Sequence, residues 1–387
     1  MVQRARILFL IPRLHAGGAE QVLVLVAGGL STDKYEAHLG LVTGCDTSAL
    51  DLPTRVQVHA LGATRARFAV VSLLRLVWRL RPAVILSGAA EISFLALLLR
   101  PFFPPKTRIL VRQNGTASAA FENGRVPRYA RLLYRLLYPH ADRVICQSRA
   151  MAEDLMRQAG MSQERITVLP NPVDLEAIRK VRTAPSRWTG TGPHLLAVGR
   201  LEREKGFDLL LKALARVRQR FPQADLIVAG AGREESALRR QCAELGLKDA
   251  VHFAGRVKSP CVFFPGASLF VLSSRYEGMP NALLEAAAAG LPLVATPASG
   301  GVVDLLNGRP GAWLTTEISA ESLAGALIES LETIEPGQRF AHAFFPSMSG
   351  VSRRQIRAEC EGAKKQKSTV QVQIGAAGRR ISMHESP

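Results

Sequence analysis

Two carboxylates, Glu277 and Glu285, stand eight positions apart in the run Ser273-Ser274-Arg275-Tyr276-Glu277-Gly278-Met279-Pro280-Asn281-Ala282-Leu283-Leu284-Glu285-Ala286. The run directly follows the apolar segment Leu269–Leu272. Gly278 permits close approach of the backbone to a ligand, and Pro280 suits the first turn of a helix. The N–H groups around Met279–Ala282 would then gather at a helix N-terminus, where a phosphate or sugar oxygen can dock. Glu277 precedes that helix and Glu285 lies about one and a half turns inside it, so the two address different parts of one extended ligand rather than forming an adjacent acid/base pair. Taken alone, the pair is equally compatible with a helix cap and a surface residue.

A second constellation is Val198-Gly199-Arg200-Leu201-Glu202-Arg203-Glu204-Lys205-Gly206, again after a strand signal and before a helical one. Arg200 offers a planar fork and Lys205 a mobile point charge, a combination suited to a diphosphate whose charge grows as it departs. A third is Ala16-Gly17-Gly18-Ala19-Glu20, after Ile7–Ile11, where two glycines let the backbone approach a ligand ahead of a helix. It is not G-x-G-x-x-G, and paired glycines are common in such loops. Gly230-Ala231-Gly232 is a similar turn, placed where a base could stack.

These loops need a scaffold that brings several strand ends together. The chain has 387 residues, enough for two domains with substantial cores, and 47% hydrophobic with 21% charged residues excludes disordered or collagen-like material. Short apolar runs at Ile7–Ile11, His38–Thr43, Val56–Leu61, Val84–Ser87, Arg108–Arg112, Arg143–Gln147 and Ile166–Leu169 alternate with helical-period segments such as Ala19–Gly29, Ala69–Leu80 and Arg149–Ala159. That alternation implies a parallel sheet and an α/β domain over residues 1–170. After Pro170-Asn171-Pro172-Val173-Asp174, a second series covers 171–345, with strands expected at Leu195–Val198, Asp225–Ala229, Val251–Ala254, Leu269–Leu272 and Leu293–Thr296. Its helices are expected near Gly206–Phe221, Glu234–Leu245, Pro280–Gly290 and Ser319–Thr333. Two such open sheets would face each other across a ligand-binding cleft. Residues 346–387 show little apolar periodicity and carry Arg353-Arg354, Lys364-Lys365-Gln366-Lys367 and Arg379-Arg380, so a basic, disordered tail is expected.

Charge and cysteine usage narrow the setting. Of the net +18, residues 1–183 hold 25 Lys and Arg against 13 Asp and Glu, whereas residues 184–350 hold 17 against 16. The first half is therefore expected to meet something anionic. The five cysteines, at 45, 146, 242, 261 and 360, form no C-x-x-C, which argues against a disulfide framework or zinc site and for a reducing compartment. The longest apolar runs, such as Ile92–Leu99, are too short to cross a bilayer. The N-terminal apolar segment is likewise too short for a signal peptide and is followed by Pro12-Arg13.

The G-G-A-E loop, the G-R-L-x-x-x-K-G loop and the E-G-M-P-N-A-L-L-E-A element occur in the order found in the family-4 retaining glycosyltransferases, which this chain resembles over about residues 5–335. The resemblance implies the GT-B fold of two Rossmann-like parallel-sheet domains facing across a cleft. It implies that Arg200 and Lys205 hold the diphosphate of a nucleotide sugar and that Glu285 accepts the ribose hydroxyls. Glu277, with the backbone of Gly278, Met279, Pro280 and Asn281, would position the donor sugar. Gly17 and Gly18 would close over the reaction centre, and Gly230 would border the donor site. Transfer would retain configuration, with the leaving diphosphate oxygen helping to deprotonate the acceptor and no metal or other cofactor required. The chain has no Asp-x-Asp and no metal-spaced cluster. Where many relatives carry a first-domain histidine, it has Val111-Arg112-Gln113-Asn114-Gly115, with Gln113 and Asn114 the nearest occupants and His15 and His140 the other candidates. The closing helix with which the family usually crosses back onto the first domain has no counterpart in 346–387.

The acceptor is expected to be lipid-linked or glycan. Arg128, Arg131 and Arg135 recur beside Leu132, Leu133, Leu136 and Leu137, and Arg75, Arg79 and Arg81 accompany Leu73, Leu74, Leu76 and Trp78. Both segments can be basic amphipathic helices lying on an anionic membrane, placing the protein in the cytoplasm and peripherally on the inner face of the plasma membrane. They can equally be core helices with a solvated Arg face. A nucleotide-sugar epimerase on the same fold and a non-catalytic basic membrane- or nucleic-acid-binding protein are the competing functions. Aromatic residues at 6%, not interleaved with the basic ones, weigh against nucleic acid.

Overall fold

The computed structural model describes residues 4–13, 17–44, 52–122 and 129–342. His15, Arg128, Cys45, Cys360 and the basic tail lie outside the described residues. The first unit runs β1 (Ala5–Ile11), α1 (Gly18–Gly29), β2 (Tyr35–Leu41), β3 (Val56–Ala60), α2 (Val70–Leu80), β4 (Val84–Ser87), α3 (Ala90–Leu98), β5 (Arg108–Arg112), α4 (Ala117–Glu122), α5 (Ala130–Leu137), β6 (Arg143–Cys146), α6 (Arg149–Ala159) and β7 (Ile166–Val168). The second runs α7 (Leu175–Arg182), β8 (His194–Val198), α8 (Phe207–Arg220), β9 (Asp225–Ala229), α9 (Glu235–Glu244), β10 (Val251–Gly255), β11 (Leu269–Leu272), α10 (Asn281–Ala288), β12 (Leu293–Ala295), α11 (Gly300–Leu306), β13 (Ala312–Leu314) and α12 (Ala320–Thr333).

Both sheets are parallel, with orders β3-β2-β1-β4-β5-β6-β7 and β10-β9-β8-β11-β12-β13. Strands buried on both faces read as unbroken apolar runs, which is why the sequence pattern located them so closely. In β1, Leu8 and Leu10 pack with Leu73, Leu76 and Val77 of α2, while Ile7, Phe9 and Ile11 pack with Leu23, Val24 and Ala27 of α1. The second sheet repeats the scheme: Leu195 and Ala197 face α8 and α12, whereas Phe270 and Leu272 face Leu283, Leu284 and Ala287 of α10. At roughly 1.5–3 kcal/mol for each fully buried large apolar side chain, these layers carry the stability of the fold.

The order of strands reverses between β1 and β4 in one sheet and between β8 and β11 in the other. Loops leaving these neighbours in opposite directions open a crevice at the carboxyl edge. The Gly17-Gly18, Gly199–Gly206 and Ser273–Pro280 loops follow β1, β8 and β11 respectively, so the switch points gather all three constellations.

Five elements escape the periodicity, one of them the six-residue α4. Helix α3 is buried on most sides, with Ile92, Leu95, Ala96 and Leu97 all inside, so it shows only as an apolar run. Strand β13 has three residues, α11 opens on Gly300-Gly301, and α7 is a short, strongly charged helix. Past the expected end of patterned sequence, Phe340 packs into the space left by the missing side chain of Gly311, and its N–H donates to Gly290 O (2.8 Å).

At the outer edge of the first sheet, Arg79 donates to His59 Nδ1 (3.2 Å). His59 must therefore carry its proton on Nε2 and donate to His38 Nδ1 (3.1 Å). That places the proton of buried His38 on Nε2, which has no hydrogen-bond partner among the described residues; Glu36 lies 4.0 Å away and pairs with Arg4 and Arg6. Burial lowers the pKa of both histidines, reinforced at His38 by His59 and at His59 by Arg79. A base with a depressed folded pKa stabilises the fold above its unfolded value, near 6.5, and the stabilisation is lost as pH falls below it. The thermal midpoint should fall between about pH 7.5 and 5.5, and His59→Gln, whose amide can still link Arg79 to His38, should show a shallower slope.

Candidate active site

The second unit's wall of the cleft is built from two loops locked to one another. Lys205 ends a short turn, and Gly206 follows at φ 64°, where any Cβ would collide with Ser273 O. Ser273 Oγ donates to Lys205 O (2.8 Å), Arg275 N–H to Glu204 O (2.7 Å), and the Arg275 guanidinium grips both oxygens of Asp208 on α8 (2.7 Å each). In this frame Lys205 Nζ lies 2.6 Å from Glu277 Oε1, with the two side chains only 19% and 10% exposed. Ser274 Oγ donates to the same oxygen (2.6 Å), and the Glu277 N–H donates to Ala298 O (3.0 Å). Both side-chain bonds fall on Oε1, leaving Oε2 without a protein donor among the described residues.

Arg200 and Lys205 both line the cleft, but they are not alike. Arg200 is 64% exposed and pairs with Glu204 at 2.9 Å. An exposed pair of this kind is worth about 0–1 kcal/mol and exchanges readily for an incoming anion. Gly230 also lines the cleft, at φ 151°, where a Cβ would strike Gly199 O, so glycine is needed there for loop packing whatever binds nearby. Pro280 sits one residue ahead of α10, and Asn281 is the first helical residue.

Glu285, on α10, faces the cleft close to the start of α7. Burial raises its pKa to about 7, and the negative charge of Asp174, the N-cap of α7, adds to the effect. Its carboxylate has no hydrogen-bond partner among the described residues, so it is an acceptor held ready for donors from a ligand. Buried Cys261 nearby is pushed up to about 12, by burial first and by Glu285 second, and is an inert thiol.

The first unit supplies the facing wall. Gly18 receives Asn281 Nδ2 at its carbonyl oxygen (2.8 Å), and a Cβ on Gly278 would lie 2.5 Å from Asn114 O. The absence of side chains at these positions is what lets the units meet. Of the residues in place of a first-domain histidine, Gln113 turns into the core: Nε2 donates to Tyr134 (3.2 Å) and Oε1 accepts from Tyr138 (3.0 Å). Gln113 still lines the cleft, alongside Arg112, which is buried, and Asn114, which accepts from Arg112 and donates to Gly88 O. The signal for Arg112 in the sequence is a charge closing the apolar strand Ile109-Leu110-Val111. His140 is exposed and does not line the cleft. The cleft between the units has a volume of about 1900 Å³ and brings together Gly17, Gly18, Arg200, Lys205, Gly230, Glu277–Asn281 and Glu285.

Residues 192–333 match the family described as Glycosyl transferases group 1, and residues 16–177 the one described as Glycosyltransferase Family 4. The chain belongs to this glycosyltransferase family. Over 86% of its length the transferase is 27% identical to 90% of the N-acetylgalactosamine-N,N'-diacetylbacillosaminyl-diphospho-undecaprenol 4-alpha-N-acetylgalactosaminyltransferase of Campylobacter jejuni. It is 30% identical to a glycogen synthase of Mycobacterium tuberculosis, over 68% of this chain and 63% of that protein. Among solved structures, Anabaena HepE in complex with UDP superposes with a TM-score of 0.74 at 21% identity, covering 92% of this chain and all of that one. The sucrose-phosphate synthase of Thermosynechococcus elongatus gives 0.71 at 17% identity, covering 92% of this chain and 94% of its own. The fold of the transferase is thus GT-B, two parallel-sheet α/β units facing across a cleft.

Because Gly278 meets Asn114 O and the Cα of Gly115, Gly278→Val should wedge the units of the transferase apart. Small-angle scattering should read a larger radius of gyration, with the secondary structure seen by circular dichroism unchanged.

Proposed function

We propose that this enzyme is a retaining transferase that moves a sugar from a nucleotide-diphosphate donor to a lipid-linked or glycan acceptor at the cytoplasmic face of a membrane. In this reading residues 1–170 bind the acceptor and residues 171–345 the donor. The observation that carries it is the Lys205–Glu277 pair, shielded from water and set opposite the Gly17-Gly18 loop.

Each group then has a task. Glu285 accepts the ribose hydroxyls. Arg200 releases Glu204 and, with Lys205, holds the diphosphate, both stabilising the charge that develops as it leaves. Glu277, fixed through Oε1, offers Oε2 to a hydroxyl of the donor sugar, and the backbone of Gly278–Asn281 lies beside it. The departing phosphate oxygen takes the acceptor proton, so transfer proceeds on the face from which the nucleotide leaves, and no metal is required. Support for a nucleotide-sugar donor comes from the HepE structures solved with UDP and with UDP-glucose. Support for a lipid-linked acceptor comes from the diphospho-undecaprenol named for the Campylobacter enzyme.

A membrane contact draws on the first unit. Helix α2 buries Leu73, Leu76, Val77 and Leu80, yet leaves Val71 and Trp78 exposed beside Arg75 and Arg79. Helix α5 exposes Leu132 and Leu136 beside Arg131 and Arg135. Apolar side chains flanked by arginine suit the headgroup boundary of an anionic bilayer. No helix among the described residues is long and apolar enough to cross one.

Titrating the full chain with nucleoside diphosphates and nucleotide sugars while following thermal unfolding tests the donor site. A ligand at 100 times its dissociation constant should stabilise the fold by about 2.7 kcal/mol, and Arg200→Ala should weaken the effect. Silence across the whole panel would sink the proposal. Lys205→Ala should lower turnover on the order of 100-fold, as expected for the loss of one contact to the leaving group. Since Glu285 is protonated below about 7, affinity for a nucleotide sugar should rise from pH 6 to 8, and Glu285→Gln should abolish that dependence.

A further inference from the structure

Four hydrogen bonds join the two units through the segment that connects them, all running in one sense. Arg112 Nη2, at the end of β5, donates to Asn171 Oδ1 (2.6 Å). Asn171 Nδ2 donates to Asn281 Oδ1 (2.6 Å) and to Met279 O (3.3 Å). Asn281 Nδ2 donates to Gly18 O (2.8 Å). The chain begins at a cation, crosses from the first unit to the second, and returns to the glycine loop of the first.

Its members are poor candidates for a merely decorative network. Arg112 and Asn171 are 7% and 6% exposed. Burial pulls Arg112 down to about 10, so the guanidinium stays charged at neutral pH, and the nearby Glu20 carboxylate favours that charge. Among the described residues its hydrogen bonds go only to amide oxygens, of Asn114 and Asn171. Asn171 lies between Pro170 and Pro172, which removes a backbone N–H on either side and restricts its own backbone to extended conformations. A side-chain amide clamped in this way has one orientation that satisfies all its partners, with oxygen toward Arg112 and nitrogen toward α10. Aligned amides that start from a cation polarise one another, so each later bond is strengthened.

We propose that Asn171 is a positioning residue for the transfer reaction: it orients the Asn281 amide, and Asn281 in turn holds the Gly17-Gly18 loop over the donor end of α10. The proposal rests on the transferase reading of the cleft and adds to it the connection between the units as a working part of the site. The carbonyl that Asn281 holds belongs to the peptide whose N–H is that of Ala19, in the first turn of α1, where amides have no partner within the helix. Drawing hydrogen-bond density onto that carbonyl makes the same peptide a better donor toward an anionic oxygen in the cleft. The effect of Arg112 on the loop passes through Asn171.

The polarity of the chain supplies the test. Asn171→Asp keeps an acceptor for Arg112, and a charged one, but cannot donate to Asn281. The Asn281 amide then turns its nitrogen toward position 171 and its oxygen toward Gly18 O, which releases the loop. Hydrogen exchange on the full chain should show amides of residues 17–22 exchanging about ten-fold faster in Asn171→Asp, with the thermal midpoint unchanged or raised. Adding Asn281→Leu should give no further increase, because the two residues act in series. Unchanged exchange at 17–22, or increments that add, would overturn the proposal; so would faster exchange throughout the second unit with a fallen midpoint, the mark of a purely structural asparagine. Binding of UDP, used as the probe, should be several-fold weaker in Asn171→Asp than in wild type, because its diphosphate supplies the anionic oxygen that the Ala19 N–H faces. If UDP fails to bind the wild-type chain, the donor-site reading fails instead, and the exchange data still decide whether the relay exists.

Discussion

The cleft depends on one ion pair, Lys205 with Glu277, held at 2.6 Å in a place largely closed to water. Taking two charges out of solvent costs several kcal/mol each, and their attraction repays this only when the geometry is good and the remaining valences are satisfied. Here the geometry is enforced from outside the pair. Gly206 lets the Lys205 loop touch Ser273, Arg275 clamps the Glu277 loop to Asp208, and Ser274 adds a donor to the oxygen that Lys205 already holds. Such a pair contributes little to stability. What it secures is a lysine and a carboxylate whose positions are set before a ligand arrives, which is the condition for electrostatic stabilisation without reorganisation.

That precision is possible because the sheets beneath are conventional. Every strand named from the apolar runs is present, and for the inner strands the reason is physical: a parallel strand covered on both faces has no polar side to interrupt it, whereas the edge strands β3, β7 and β10 are only partly covered. The same rule explains the omissions. Helix α3 lost its 3.6-residue signature by being buried nearly all round, and β13, Ala312-Trp313-Leu314 right after Gly311, is only half-buried along its length and follows no run of apolar residues. Neither is visible without the neighbours that cover it. The switch points follow from strand order, which cannot be read from any one segment, so the gathering of the three loops becomes visible only in the folded chain.

The site was legible to the extent that its residues lie together in sequence. The two carboxylates and the loop with Arg200 and Lys205 each sit within one βα connection, and their spacing was enough to find them. Residues whose partners lie far along the chain were not. Arg112 meets Asn171 across 59 positions, and Asn281 meets Gly18 across 263. Gln113 looked equivalent to its neighbours, yet its side chain bonds Tyr134 and Tyr138 of the core while Arg112 reaches Asn171. Pairing of Arg200 and Lys205 was expected from their types; that each would already hold a carboxylate, one exposed and one shielded, required the structure.

The charges of the cleft are unbalanced in a patterned way. Arg112 is buried with amide oxygens as partners, and Glu285 is buried enough to titrate near neutrality with no donor among the described residues. An apolar core selected for stability alone would exclude both, since each raises the energy of the empty protein. A ligand that brings hydroxyl donors to Glu285 and negative charge near the guanidinium end removes both penalties at once. The two groups lie on opposite walls, one on a strand of the first sheet and one on a helix of the second. A ligand relieving both must therefore span the cleft, and its binding energy becomes available to draw the walls together. Asn171 lies between them on the connecting segment, bonded to Arg112 on one wall and to Asn281 on the other, so the alignment of the two walls is registered there.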